Sequence, residues 1–247
     1  MSYGQGSVNA HEVESFSKLA AKWWDEAGAY KLLHQLNPVR LSFIRETLTQ
    51  HFALNRNQMP QLQDLEILDI GCGGGLITEP LTRLGAKVTG IDASAESIAV
   101  ANAHAETMGL AIDYRHTTAE ALVDTGKRYD VVLALEIIEH VADVPGFLES
   151  CCKLLSRQGI LIFSTLNRTL KSWALAIVAA EYVLGWVPRG THSWQQFLTP
   201  AEIANGLRES GFILQQVQGL TYSPWSGQWQ LTSDTTINYF LTAVHHE

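Results

Sequence analysis

Apolar positions change their spacing near residue 64, and the change separates two kinds of element. Before it, Phe16, Leu19, Ala20, Trp23 and Trp24 recur at the spacing of one helix face. A second helix is expected from Pro38 through Leu48, with proline in the first turn, where its missing N–H is tolerated. Gln58 to Gln63 reads as a polar linker. After it, short apolar runs alternate with helical patterns. Leu65–Ile70, Lys87–Ile91, Ile112–Arg115, Asp130–Leu135 and Gly159–Thr165 read as strands. Leu76–Leu84, Ala95–Met108 and Pro145–Leu155 read as helices, with Gly109 as a C-terminal cap. Thr199, Pro200 and Glu202 fit the N-cap, N1 and N3 positions of a late helix ending near Gly211. Two further strands are expected at Ile213–Val217 and Tyr239–Val244.

This alternation predicts an α/β fold, a doubly wound, mostly parallel sheet with helices on both faces and right-handed crossovers. The run Val131-Val132-Leu133-Ala134-Leu135 is apolar at every position, as a strand buried on both sides requires. We expect a helical cap over residues 1–57 and a ligand-binding domain over 58–247, with an apolar helical insertion at 168–192.

Composition narrows the function classes. The chain has 247 residues and is 46% hydrophobic, enough for one large packed domain. Its formal net charge of −8, with no basic run, repels phosphate backbones, so nucleic acid is not expected as a partner. The cysteines, Cys72, Cys151 and Cys152, have no disulfide or zinc spacing and suit a reducing compartment. Residues 1–14 lack the basic start and apolar run of a secretory signal. No stretch reaches the ~18–20 apolar residues of a spanning helix.

The candidate chemistry begins where the first strand ends. Gly71-Cys72-Gly73-Gly74-Gly75 leads from strand to helix, and Asp92 ends the next strand 21 residues after Gly71. Glycines there let a ligand approach backbone N–H groups at a helix N-terminus, and the acid lies where ribose hydroxyls are held. A dinucleotide loop would place Gly or Ala where Leu76 stands, which disfavours a nicotinamide dehydrogenase. A phosphate loop would end in Gly-Lys-Ser/Thr, and no such run occurs. Asp69-Ile70-Gly71-Cys72-Gly73-Gly74-Gly75 instead resembles the acidic-x-Gly-x-Gly-x-Gly motif of class I S-adenosylmethionine-dependent methyltransferases.

Further stretches sharpen the resemblance. Trp23-Trp24-Asp25, Leu33 to Arg40, Glu136-Ile137-Ile138-Glu139-His140-Val141, Phe163 to Arg168, Ala180-Glu181-Tyr182 and Val187 to His192 resemble the ubiquinone-biosynthesis O-methyltransferase family. The resemblance implies a seven-stranded sheet in the order 3-2-1-4-5-7-6, the seventh strand antiparallel. It implies O-methylation of two polyprenylated acceptors, a 2-polyprenyl-6-hydroxyphenol and a 3-demethylubiquinol. The cofactor-binding positions it implies are Arg40, Gly71, Asp92 and Leu135, to which the class I motif adds Asp69 and Gly73.

Glu136, Glu139 and His140 follow the fourth strand, at the ligand-binding edge of such a sheet. They are candidate ligands for a divalent cation, Mg²⁺ foremost, that would acidify a phenol. Two other readings stay open: His140, with Glu136, as metal-free acid–base machinery, and an acidic helix start without chemistry. The insertion centred on Trp173 to Val187 is apolar and flanked by Arg168, Lys171 and Arg189, which suits contact with a membrane surface. A lid helix is the plainer reading. The expected setting is cytoplasmic, peripheral to the inner membrane, with other ubiquinone-biosynthesis enzymes as candidate partners. A methyltransferase for another small acceptor, or a membrane-associated cofactor-binding scaffold without turnover, remain the alternatives. Trp194, Trp225 and Trp229 fit either a ring pocket or core.

Overall fold

The computed structural model describes residues 6–57, 59–174, 194–223 and 227–246. The strands are β1 (Glu66–Ile70), β2 (Lys87–Asp92), β3 (Asp113–His116), β4 (Tyr129–Leu135), β5 (Leu155–Leu166), β6 (Phe212–Ser223), β7 (Gln228–Thr232) and β8 (Asn238–His245). The helices are α1 (Ala10–Leu19), α2 (Lys31–His51), α3 (Thr78–Arg83), α4 (Ala95–Thr107), α5 (Ala119–Val123), α6 (Val144–Leu154), α7 (Leu170–Ser172) and α8 (Pro200–Glu209).

All strands join one sheet in the order β3-β2-β1-β4-β5-β8-β6-β7. Neighbours from β3 through β5 are parallel, whereas β8 runs antiparallel to both β5 and β6. The expected order is therefore present, with β8 as the antiparallel strand. Among the described residues the count differs, because β7 adds an eighth strand at the edge, antiparallel to β6. Gln228-Trp229-Gln230-Leu231 is short and half polar, so periodicity alone does not separate it from a loop.

Alternate residues of β4 enter different cores, as a pleated strand covered on both faces requires. Val132 and Ala134 pack with Phe147 and Cys151 of α6 and Ile203 of α8. Val131 and Leu133 pack with Leu36, Phe43, Ile44 and Leu48 of α2 and Leu81 of α3. Thus α2, expected as part of a cap, buries its inner face in the same core as the sheet.

Helix α2 also starts earlier than its proline suggests. Pro38 lies inside it, not in its first turn. The missing N–H removes the bond that would reach the His34 carbonyl. Tertiary contacts hold the first turns instead: His34 Nε2 lies 2.9 Å from the Trp23 carbonyl, and Asn37 Nδ2 donates to the Leu76 carbonyl at 3.3 Å. Local signals fare better at α4 and α8. Gly109, at φ +66°, donates to the Glu106 carbonyl while Leu110 donates to Ala105, which ends α4 in a Schellman motif. Thr199 and Glu202 cap each other reciprocally at the start of α8.

Candidate active site

The turn after β1 is built around glycine. Gly71, Gly73 and Gly75 take φ of +71°, +54° and +90°, which disfavours a side chain at each. A Cβ on Gly73 would run into the Trp23 ring, and one on Gly75 into the Tyr114 hydroxyl. Trp23 stacks on Tyr30 at 3.8 Å and donates through Nε1 to Ser97 Oγ at 3.2 Å. Trp24 donates to the Gly74 carbonyl at 3.1 Å. Leu76, the residue that breaks a dinucleotide fingerprint, packs with Trp23 and Tyr30. The N-terminal segment thus lies directly on the glycine turn.

Asp92 holds that turn from the neighbouring strand. Its Oδ2 accepts from the Gly73 N–H at 2.9 Å and its Oδ1 from the Ser94 N–H at 2.8 Å. Burial pushes its carboxyl above the usual range, against the lowering effect of those two bonds. Asp69 is more deeply placed and accepts from Thr78 Oγ1 at 2.6 Å. Burial pushes it up to about 7, with Thr78 opposing.

At the end of β4 the chain turns sharply. Glu136 has φ +51°, a strained conformation for a non-glycine residue and one that aims its carboxylate at Arg40 of α2. Glu136 Oε1 lies 3.1 Å from Arg40 Nη2 and accepts from Ser164 Oγ at 2.7 Å. A 3-10 turn over Ile138–His140 then separates the next two groups. Glu139 is buried and accepts from Thr165 Oγ1 at 2.9 Å; burial first, then the Glu136 charge, push it up to about 7. His140 Nδ1 lies 3.1 Å from Glu12 Oε2 of α1, and its ring meets Phe16 edge-on at 5.2 Å. Burial lowers the imidazole's basicity, but the Glu12 hydrogen bond and the surrounding carboxylates outweigh it and raise its pKa.

One cavity of about 560 Å³ connects these groups along the carboxyl edge of the sheet. Arg40, Asp69, Gly71, Asp92, Leu135, Glu136 and His140 all line it. Around it, Tyr30 Oη, Asn37 Oδ1 and Arg40 Nε are buried and have no hydrogen-bond partner among the described residues. Such atoms mark where a ligand's polar groups fit. A glycine cradle, an acid at the ribose position and a buried arginine suit a nucleoside joined to an amino acid.

The model of a methyltransferase domain family matches residues 40–217. A ubiquinone biosynthesis O-methyltransferase of Azorhizobium caulinodans is 50% identical over 95% of this chain and 93% of its own length. One from Methylobacterium nodulans is 48% identical over 96% and 95% respectively. The chain belongs to the ubiquinone biosynthesis O-methyltransferase family. Solved structures agree on the fold: a magnesium protoporphyrin IX methyltransferase from Synechocystis PCC 6803, bound to SAH, superposes with a TM-score of 0.59 at 21% identity, over 98% of this chain and 90% of that one. An S-adenosylmethionine-dependent methyltransferase of Clostridium acetobutylicum gives 0.62 at 14% identity, over 97% and 100%.

As a ubiquinone biosynthesis O-methyltransferase, the chain brings the six cofactor positions expected from its sequence to one place. Gly73 sits in the turn without lining the cavity, and the other five line it. The expected metal set, Glu136, Glu139 and His140, does not come together as one group among the described residues. Glu136, Glu139 and His140 turn to Arg40, Thr165 and Glu12, and no three His, Cys, Asp or Glu side chains among the described residues form a group able to hold a metal ion. Glu139 does not line the cavity at all. As placed among the described residues, the three side chains are not arranged to share a divalent ion. Cys72 is buried, and burial raises its thiol pKa well above the usual range, so it is a packing residue.

Sequence reasoning missed Glu12, Phe16, Asn238 and Tyr222, all of which line the cavity. None stands in a local motif; the fold alone brings them in. Trp194 donates to the Thr169 carbonyl at 2.9 Å, and Trp229 faces the cavity. Trp225, the Ala180-Glu181-Tyr182 and Val187 to His192 motifs, and most of the apolar insertion lie outside the described residues. No helix among the described residues is long and apolar enough to cross a membrane.

Proposed function

We propose that this chain is an S-adenosylmethionine-dependent O-methyltransferase acting on a phenolic hydroxyl of polyprenylated ubiquinone precursors, 2-polyprenyl-6-hydroxyphenol and 3-demethylubiquinol. One observation carries the reading: a single cavity is lined by the glycine turn and Asp92, by Glu136 and His140, and by uncharged residues of β5, β8, β6 and β7, in a chain of this family. S-adenosylmethionine supplies an activated sulfonium methyl. The chain's own residues must bind, align and deprotonate.

Gly71, Gly73 and Asp92 would hold the nucleoside end, the Asp92 carboxylate accepting from ribose hydroxyls. Arg40 and Asp69 face the methionine end. The guanidinium offers charge-assisted donors to a carboxylate. Leu135 supplies an apolar contact between the two. A free phenol has a pKa of about 10, and its oxygen attacks in line only once it has lost its proton. His140 is the base we assign. It lines the cavity, and the Glu12 contact that raises its pKa narrows the gap to the phenol. Glu136, paired with Arg40, adds negative charge that stabilises the imidazolium once formed.

The same reading gives the insertion at 168–192 a role at a membrane surface, where a polyprenylated acceptor resides. Leu170 and Trp173, at its described start, are 79% and 47% exposed. Arg168 pairs with Glu202, and Lys171 with Asp234 at 2.6 Å, which fixes the base of the segment. Flotation with anionic liposomes tests this: variants with Trp173, Leu184 and Trp186 made polar should stay with the protein fraction, and undiminished flotation would sink the idea.

The deciding experiment for the activity is incubation with methyl-labelled S-adenosylmethionine and the two demethylated acceptors. Labelled O-methyl product from both is expected. Cofactor binding without product from either supports a scaffold instead, and product only from unrelated small acceptors supports the alternative enzyme.

A further inference from the structure

The same cavity is also lined by residues of β5, β8, β6 and β7. Asn238 opens β8 and stands in register with Leu166 of β5 on one side and Leu220 of β6 on the other. It is only 5% exposed, and its Oδ1 has no hydrogen-bond partner among the described residues. Trp229 of β7 stands in register with Tyr222 of β6, their rings 5.6 Å apart. Its Nε1 is buried and likewise has no partner among the described residues. Both side chains line the cavity.

A buried donor and a buried acceptor left unpaired are each costly, so native structures keep them chiefly where something else pairs with them. Here the surroundings define what that is. Leu166, Leu220 and Ile237 present apolar surface, and every cavity residue from Leu166 onward is uncharged. Such a wall rejects an ionised group and accepts a neutral ring. A hydroxyl is donor and acceptor at once, able to take an indole N–H on its oxygen and to give its own proton to an amide oxygen. A carbonyl or methoxy oxygen answers Trp229 alone.

We propose that Asn238 and Trp229 are specificity-determining residues that bind a second hydroxyl on the acceptor ring, beside the oxygen that is methylated. The inference rests on reading the chain as a phenol O-methyltransferase and names what that reading leaves open: how the ring is oriented and why a reduced, dihydroxylated ring is chosen. β7 thereby has a purpose, since this edge strand carries the indole.

The test compares two probes, a short-chain prenyl catechol and the corresponding phenol lacking the neighbouring hydroxyl, using the full chain and labelled S-adenosylmethionine. The wild type should favour the catechol by roughly tenfold in kcat/KM, about the worth of one buried hydrogen bond. Trp229→Phe keeps the aromatic wall and removes the N–H; Asn238→Ala removes the amide. In each, the catechol-to-phenol ratio should fall towards one, mainly through KM, while calorimetric affinity for S-adenosylmethionine stays within about twofold. Because substrate group and side chain are partners, removing both should cost no more than removing either. If Asn238→Ala loses cooperative melting, Trp229→Phe and Asn238→Ser decide. Variants that bind the cofactor normally and keep the full catechol preference overturn the inference while leaving the enzyme reading intact. A wild type that methylates neither probe overturns both.

Discussion

Arg40 Nη2 lies 3.1 Å from Glu136 Oε1, across the mouth between helix α2 and the end of β4. Both residues line the cavity, and Arg40 is 4% exposed. Removing one partner of a buried pair leaves the other charge uncompensated. Arg40→Ala should therefore weaken S-adenosylmethionine by about tenfold or more and lower stability by ~3 kcal/mol. Calorimetry and urea unfolding report the two effects separately. Affinity equal to wild type would remove Arg40 from the cofactor site.

The glycine turn can be tested without touching charge. At Gly73 a methyl group meets both a left-handed backbone, φ +54°, and the Trp23 ring. Gly73→Ala should cost about 1–3 kcal/mol and weaken the cofactor. Gly109, also at positive φ but with open space around its Cβ position, is the control. Gly109→Ala should lose about 1 kcal/mol and leave cofactor affinity alone. Equal binding losses at both positions would contradict a specific cradle.

Asp69 makes stability depend on pH. Its carboxyl is raised to about 7 in the folded chain, burial being the main cause, so the folded state binds a proton more tightly than the unfolded state. Its contribution favours folding at low pH and is lost as pH rises through about 7. Asp69→Asn, which keeps an acceptor for the Thr78 hydroxyl, should flatten the decline in melting temperature of the cofactor-free protein between pH 5 and pH 8. An unchanged slope would assign that decline to other groups such as Glu139.

The contact between His140 and Glu12 predicts a kinetic signature. Glu12 raises the imidazole's pKa, so Glu12→Gln should lower it. The acidic limb of kcat/KM, which reports loss of the neutral base, should then move to lower pH. The plateau should fall, by a few-fold, because the base is weaker. A profile that keeps its midpoint in Glu12→Gln would show that His140 is not the titrating base.

Much of this was legible along the chain because it is set by neighbours in sequence. The strands feeding the glycine turn, the capping box at Thr199 and Glu202, and the Schellman end at Gly109 depend on periodicity and on backbone geometry over a few residues. The position of Asp92 at a strand end made it a ribose-site candidate. The family match rests on ordered short motifs of the same local kind.

Tertiary structure decided what distance in sequence hides. Glu136, Glu139 and His140 lie within five residues, which suggested a shared ion. The positive φ at Glu136 and the 3-10 turn after it aim the three at different partners, one of them Glu12, 128 residues away. Pro38 predicted a helix start, but packing of Leu36 and tethers from His34 and Asn37 carry α2 past it. Asn238 carries no local signal, and Trp229 fits pocket or core equally well, until β8 and β7 bring both to the cavity that Gly71 also lines. Local hydrogen bonding and periodicity write the elements. Which side chains meet depends on how the sheet is ordered, and that order comes from burial summed over the whole chain.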